Sequence, residues 1–306
     1  MGFKSGFVGV LGMTNVGKST FINRILGRKV LITSEKHQTT RNRIRCIKNL
    51  EDAQIIFTDT PGLHRPVDKL SRYLLNQVFK ALAGLDLILH MVEPWGEIQP
   101  YDWKLFSRLS DFEGLILLAV NKIDLAQGNE VEETIAAYQE TGLFRESVPI
   151  SCVENINLGL TLELIKKYLP GGPQYFPAEI TIDRPESFVI AEFIREKIFQ
   201  LTHQEIPYAV AVEVVEMKER EDRELMEIYA HIYVARRSQK GILIGRGGRM
   251  IREIGRQARQ EIEARLGIHV YLDLQVRVRE RWNQDEAEIA RLTDSQGGGG
   301  YDHLTY

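Results

Sequence analysis

Gly12-Met13-Thr14-Asn15-Val16-Gly17-Lys18-Ser19 sets two glycines, a lysine and a hydroxyl at the spacing G-x-x-x-x-G-K-[ST]. Glycines let backbone N–H groups close around phosphate oxygens, and a helix starting at the lysine adds the positive end of its dipole. Lys18 then reaches the β- and γ-phosphates, and the Ser19 hydroxyl, followed by Thr20, ligates Mg2+. A chance glycine turn also matches this spacing, so context decides. Here an apolar run at 7–11 leads in and a helical stretch to residue 25 leads out.

A phosphate loop does not choose its base. Asn121-Lys122-Ile123-Asp124 does, because it follows the apolar run Leu115–Val120. The Asp124 carboxylate can accept two N–H bonds from the Watson–Crick edge of guanine, and adenine offers no matching pair of donors. Each hydrogen bond to a charged group contributes about 1.5–3 kcal/mol, enough to decide the base. Asp59-Thr60-Pro61-Gly62 ends the run 54–58, where an acid would hold Mg2+ through water. The Gly62 N–H then meets the γ-phosphate, so this loop responds to hydrolysis. Ser151-Cys152-Val153 follows a last short run at 148–150 and is placed to back the guanine ring. Alone it would be read as loop.

These motifs need a sheet to hold them. Apolar runs at 7–11, 85–92, 115–120 and 148–150 alternate with helical stretches, and 44–48 and 54–58 flank a hairpin turn at Glu51-Asp52. The alternation predicts an α/β fold, a doubly wound sheet with helices on both faces. At 306 residues the chain suits two domains. Leu169-Pro170-Gly171-Gly172-Pro173 breaks the pattern, which divides the chain into a nucleotide-binding domain over 1–170, a linker over 171–184, a second domain over 185–292 and a tail over 293–306. The second part reads as helix, strand, strand, helix, strand. Two unclustered cysteines, Cys46 and Cys152, suit a reducing, cytoplasmic setting. No run approaches the roughly 20 apolar residues that span a bilayer.

Ile242-Leu243-Ile244-Gly245-Arg246-Gly247-Gly248 runs apolar into G-x-x-G and on into a helix. KH domains clamp single-stranded RNA backbone with such a loop. Between 236 and 265, nine cationic residues meet three carboxylates, on a chain whose net charge is -3. Lys240, Arg246, Arg249 and Arg252 are placed for phosphates beside Gly245, Gly247 and Gly248. Ile244 either floors a base site or packs the core. A solvated arginine-rich helix is the competing reading of the charge, and a protein-binding domain with G-x-x-G only a turn is a rival function. A metabolic P-loop kinase is disfavoured by Asp124.

Motif order, spacing and Gln38-Thr39-Thr40-Arg41 together resemble the Era family of bacterial Ras-like GTPases, over residues 7–282. The resemblance implies a P-loop GTPase domain followed by a smaller α+β type II KH domain, binding GTP and GDP with Mg2+. It makes Thr40 the switch threonine on Mg2+, beside Ser19 and Asp59. It matches Asn15 to an asparagine linked to K+, although Asn15 is equally a turn residue by its own chemistry. It implies a ribosome-assembly factor whose ligand is the 3′ region of 16S ribosomal RNA in the 30S subunit, with a weak peripheral association at the cytoplasmic face of the inner membrane. The chain itself is expected to be a monomer that GTP gates through switch segments at 38–44 and 62–71. Met13-Thr14 and Cys152 depart from the family's usual Arg-Pro and alanine.

Leu63 stands where Ras-type enzymes carry the glutamine that orients water. Intrinsic turnover should therefore be slow, on the order of 10⁻⁴–10⁻³ s⁻¹. Lys18, Thr40 and Gly62 carry the catalytic expectation, with charge stabilised by Lys18 and Mg2+ and water held by backbone. Phosphate release should persist in His64→Ala and change in Leu63→Gln. An unchanged Leu63→Gln together with an inactive, nucleotide-binding His64→Ala would move the water-positioning role to His64.

Overall fold

Leu87–Val92 and Leu115–Val120 are almost wholly apolar, and strands of that composition need cover on both faces. A computed structural model of the chain describes residues 2–33, 44–59, 69, 70, 72, 73, 75, 82–203, 205–220 and 224–293. In it the two runs pair in parallel, from Leu87 opposite Leu115 to Val92 opposite Val120. The chain divides into two units. The first comprises Met1–Leu31, Thr40–Pro66 and Leu74–Asp183, and the second Ile32–Thr39, Val67–Tyr73 and Arg184–Tyr306.

The first unit contains β1 (Lys4–Leu11), α1 (Lys18–Leu26), β2 (Ile44–Asn49), β3 (Ala53–Asp59) and β4 (Leu87–Val92). It continues with α2 (Pro100–Leu109), β5 (Leu115–Val120), α3 (Glu130–Gln139), β6 (Glu146–Pro149) and α4 (Leu158–Tyr168). Its sheet runs β2-β3-β1-β4-β5-β6, with only β2 antiparallel to its neighbour. The predicted doubly wound sheet is what forms. Every nucleotide motif among the described residues sits at the carboxyl end of a parallel strand, the edge where such sheets bind ligands.

Residues 171–183 bond to this sheet. Ile47 N–H donates to Thr181 O at 3.0 Å, and the Gln54 amide accepts from Tyr175 N–H and Phe176 N–H at 2.8 and 2.9 Å. The stretch expected as a linker thus lies along strands β2 and β3 up to Asp183, because Phe176 is buried against Ile47 and Ile56.

The second unit runs α5 (Glu186–Leu201), β7 (Val210–Arg220), β8 (Leu225–Val234), α6 (Arg237–Ile244), α7 (Arg249–Leu266), β9 (His269–Val278) and α8 (Glu286–Thr293). Two helices, α6 and α8, were absent from the expected order. Gly241 and the charged Arg237 and Lys240 disguise α6, and its first turn is held by the Gln239 side chain accepting from Arg236 N–H at 3.0 Å. β7 and β8 are antiparallel with a bulge between Val214 and Glu216, whereas β8 and β9 are parallel, so α6 and α7 supply the crossover. Ile228, Ala230, Ile232 and Val234 form the buried face of β8, while α5 and α7 pack on the sheet and on each other. No helix among the described residues is long and apolar enough to cross a membrane.

One buried polar group in the first unit lies apart from the nucleotide motifs. Tyr138 OH donates to Asp102 Oδ2 at 2.5 Å, and His90 Nε2 faces Asp102 Oδ1 at 3.3 Å. All three side chains are buried, and Phe144 stacks on the His90 ring. Burial, then the adjacent carboxylate, pushes the Tyr138 phenol far up. Tyr138→Phe should cost about 1–3 kcal/mol by leaving a buried carboxylate oxygen without its donor. Urea unfolding should show the loss, with GDP affinity unchanged.

Candidate functional site

The loop after β1 turns back on glycines that nothing larger can replace. Gly12 has φ +144°, and an added Cβ would lie 2.2 Å from Met91 O. Gly17 has φ +104°, and its Cβ would lie 2.3 Å from Asn121 Nδ2. Between them Met13 and Thr14 are half-buried, Asn15 is exposed at φ 65°, and Val16 is buried. Lys18 Nζ donates to Gly12 O at 2.9 Å and to Met13 O at 2.8 Å. The lysine thus lies folded over the loop it must serve. Burial lowers its pKa to about 8, opposed in part by the negative charge of Asp59.

Ser19 and Thr20 open α1 beside the carboxyl end of β3. Ser19 Oγ donates to Asp59 Oδ2 at 3.1 Å, and Asp59 is wholly buried. A hydroxyl and a carboxylate converging on one point are hard oxygen donors of the kind Mg2+ prefers, so the residues present fit that ion. Thr40, Thr60, Pro61, Gly62 and Leu63 lie outside the described residues.

Asn121 connects the motifs. It follows β5 and is buried, its Nδ2 donating to Val16 O at 2.7 Å while its Oδ1 accepts from Cys152 N–H at 3.1 Å. One amide therefore joins the phosphate loop to the loop after β6. Ser151 Oγ accepts from Glu154 N–H at 3.1 Å, which shapes that loop, and Val153 is exposed. Cys152 is buried beneath it, and burial pushes the thiol up to about 12, so it stays protonated. Lys122 takes φ 67°, Ile123 N–H donates to Ile150 O at 3.3 Å, and Asp124 is exposed, with its carboxylate open to a ligand.

Two residues of this site were not legible in the motifs. Glu93, just past β4, pairs with the Lys122 ammonium and holds the end of that side chain, and Arg24 Nη2 donates to Val153 O at 3.1 Å. Neither carries a local signal, since both partners come from distant sequence.

In the second unit, Gly245 has φ 69°, and a Cβ there would meet Met250 Cβ at 2.8 Å. Gly247 and Gly248 take φ 60° and 76°; a Cβ at Gly247 would meet nothing within 4 Å, and one at Gly248 would meet only Arg252 Nε at 3.9 Å. Arg252 donates to Gly247 O at 2.6 Å and to Gly248 O at 3.2 Å, drawing carbonyls inward at the start of α7. Lys240, Arg246 and Arg249 make no ion pair among the described residues, whereas Arg256 and Arg265 are paired with Glu253 and Glu186. Ile244 is half-buried at the end of α6.

Asn121→Ala should weaken GDP binding by roughly tenfold to a hundredfold, because two buried backbone groups lose their partner at about 1–3 kcal/mol each, part of it recovered by relaxation. Fluorescent GDP titration measures this, and undiminished affinity would show that the two loops hold position without the amide.

A family profile described as 50S ribosome-binding GTPase matches residues 7–122, and a KH domain profile matches residues 205–283. GTPase Era of Geobacter metallireducens is 47% identical over 290 residues, which is 95% of this chain and 97% of that protein. GTPase Era of Alkaliphilus oremlandii is 44% identical over 292 residues, 95% of this chain and 99% of that protein. A crystal structure of Era with MgGDPNP and nucleotides 1506-1542 of 16S ribosomal RNA is 36% identical with a TM-score of 0.87, covering 95% of this chain and 98% of that one. A single-residue variant of Aquifex aeolicus Era bound to GDP.AlF4- is also 36% identical, with a TM-score of 0.88 over the same shares of the two chains. Likeness of this degree along nearly the whole length of both partners means that the chain belongs to the Era family of GTPases.

Proposed function

We propose that the chain hydrolyses GTP and uses the nucleotide to gate binding of the 3′ region of 16S ribosomal RNA during assembly of the 30S subunit. The observation that carries the reading is Asn121, whose amide sets a guanine-binding loop and a phosphate loop at one separation. An Era structure 36% identical to this chain and holding both MgGDPNP and that RNA supports the partner.

Within this reading, backbone N–H groups from Gly12 to Thr20 hold the phosphates, and Asp124 reads the base. The Lys122 stem lies over the guanine with its ammonium held by Glu93, and residues 151–153 close the other side of the ring. Lys18 leaves the carbonyls of Gly12 and Met13 for the β- and γ-phosphates, where it meets charge that grows during transfer. Ser19, Asp59 and Thr40 would hold Mg2+, which supplies positive charge at the phosphates when bound. Gly62 completes the γ-phosphate contact, and Asn15 is the residue at which a K+ requirement would be traced. Loop 245–248, with Lys240, Arg246 and Arg249, clamps the RNA backbone, and the protein works in the cytoplasm. A peripheral membrane association has no support in the described residues.

Replacing Gly247 and Gly248 together with Asp should abolish RNA binding and leave GTP binding intact. Wild-type affinity for the RNA should fall steeply with salt and should differ between a non-hydrolysable GTP analogue and GDP. GTP turnover should rise when small ribosomal subunits are added. Equal RNA affinities in the two nucleotide states would remove the gate, and turnover indifferent to subunits would remove the assembly role.

A further inference from the structure

The sheet of the second unit has a second face, turned away from α5 and α7. Along β8 the residues alternating with the buried set are Glu227, Tyr229, His231 and Tyr233. Their neighbours across β7 are Lys218, Glu216, Glu213 and Ala211, and across β9 they are Tyr271, Asp273, Gln275 and Arg277. One end of this face is covered by the chain itself. Ala211 and Tyr233 pack with Trp282 and Leu292, and Trp282 Nε1 donates to Ala209 O at 3.1 Å.

The covered end shows what the face accepts. Tyr233 OH donates to Glu213 Oε2 at 2.7 Å. Two guanidinium groups lie over the Tyr233 ring, those of Arg279 at 5.9 Å and Arg291 at 6.0 Å. Arg291 Nη1 also pairs with Glu213 at 3.4 Å. Tyr233 backed by Glu213 thus holds Arg291 of α8 by ring and charge together, while Arg279 lies over the same ring and pairs with Glu288.

Four residues along the same strand, roughly 13 Å away at about 3.3 Å per residue, the combination recurs, and among the described residues no arginine or lysine lies over its rings. Tyr229 and Tyr271 meet edge to face with centroids 6.1 Å apart, and Tyr271 is 50% exposed. Glu216 and Asp273 flank Tyr229 on its two neighbouring strands. Neither carboxylate has a cationic partner among the described residues, and Asp273 Oδ1 is a buried acceptor with no hydrogen bond. Burial and then the negative groups Glu227, Tyr271, Glu216 and Asp273 raise the Tyr229 pKa. The pKa of His231 beside them is lowered by burial and by Arg277, so at neutral pH it adds no cation. Residues 294–306 contain no lysine or arginine.

We infer that the Tyr229–Tyr271 patch, with Glu216 and Asp273, is a docking site for an arginine-bearing basic segment of a protein partner. One guanidinium lies over Tyr229 as Arg291 lies over Tyr233, and its N–H groups pair with the Glu216 and Asp273 carboxylates. The carboxylates disfavour an RNA strand on this face, which separates it from the G-x-x-G loop. Arginine is preferred over lysine because a planar guanidinium can lie on the ring and reach a carboxylate at once.

Binding of a short fluorescein-labelled arginine–glycine peptide to the full chain tests this by fluorescence anisotropy. Tyr229→Ala and the double variant Glu216→Gln with Asp273→Asn should each weaken binding roughly tenfold. Tyr229→Phe should bind like the unaltered chain, and a lysine–glycine peptide should bind more weakly throughout. GTP affinity and affinity for an oligonucleotide of the 16S 3′ region should stay unchanged, which reports an intact fold and keeps this outcome separate from the RNA site. No peptide binding by the unaltered chain, or equal binding by the variants, would overturn the inference. A loss of oligonucleotide affinity in Tyr229→Ala would overturn it too, by giving the face to nucleotide bases.

Discussion

Two loops that must grip opposite ends of a nucleotide come from strands far apart in the chain, and something has to fix their spacing. The Asn121 amide does so: it is buried, and both ends must be satisfied because an unmade bond there costs about 1–3 kcal/mol. Val16 O and Cys152 N–H satisfy them, and Gly17 must lack a side chain because the amide nitrogen already occupies the space a Cβ would take. Glycine at 17 and asparagine at 121 are therefore one requirement expressed at two positions. A base pocket assembled before the ligand arrives leaves less ordering to be done on binding.

The motifs that were legible are those in which chemistry restricts residue type. Gly12, Gly17, Lys18 and Asp124 have few substitutes, and the apolar runs of a parallel sheet announce themselves. The expectations for residues 34–43 and 60–68 fall outside the described residues. What could not be read was contact at long range. Nothing local in Glu93 points to Lys122, nothing in Arg24 points to Val153, and the buried Tyr138–Asp102–His90 group joins three separate elements. Helix α6 was missed because its charged first turn and Gly241 hide any apolar stripe, although Gln239 makes a workable cap. The stretch 171–183 was read as a connection from its prolines and glycines, while Phe176 and its partnership with Gln54 gave it a place on the sheet.

The second unit presents two surfaces of opposite character from one small fold. Around the glycine loop, Lys240, Arg246 and Arg249 stand unpaired among the described residues, and Gly247 leaves open space where a side chain would stand. Across the sheet, tyrosines and carboxylates dominate. The basic loop is carried by the helices α6 and α7 that pack on the sheet, and alternate residues on its strands point to opposite faces, so the tyrosines and carboxylates stand on the face those helices leave.

That separation depends on the bulge in β7. Up to Glu213 the odd-numbered positions share the face of Tyr233, but the extra residue, Val215, shifts the alternation so that Glu216, Lys218 and Arg220 take that face thereafter. Were the ladder to run through Val215 without a bulge, Val215, Met217 and Glu219 would come to the outer surface, and Glu216 and Lys218 would turn toward the core. A strand one codon shorter at this point would pair regularly and still keep every later side chain on its present face. The bulge is thus where the chain stores a surplus residue, and a length change that would invert the strand elsewhere is absorbed there.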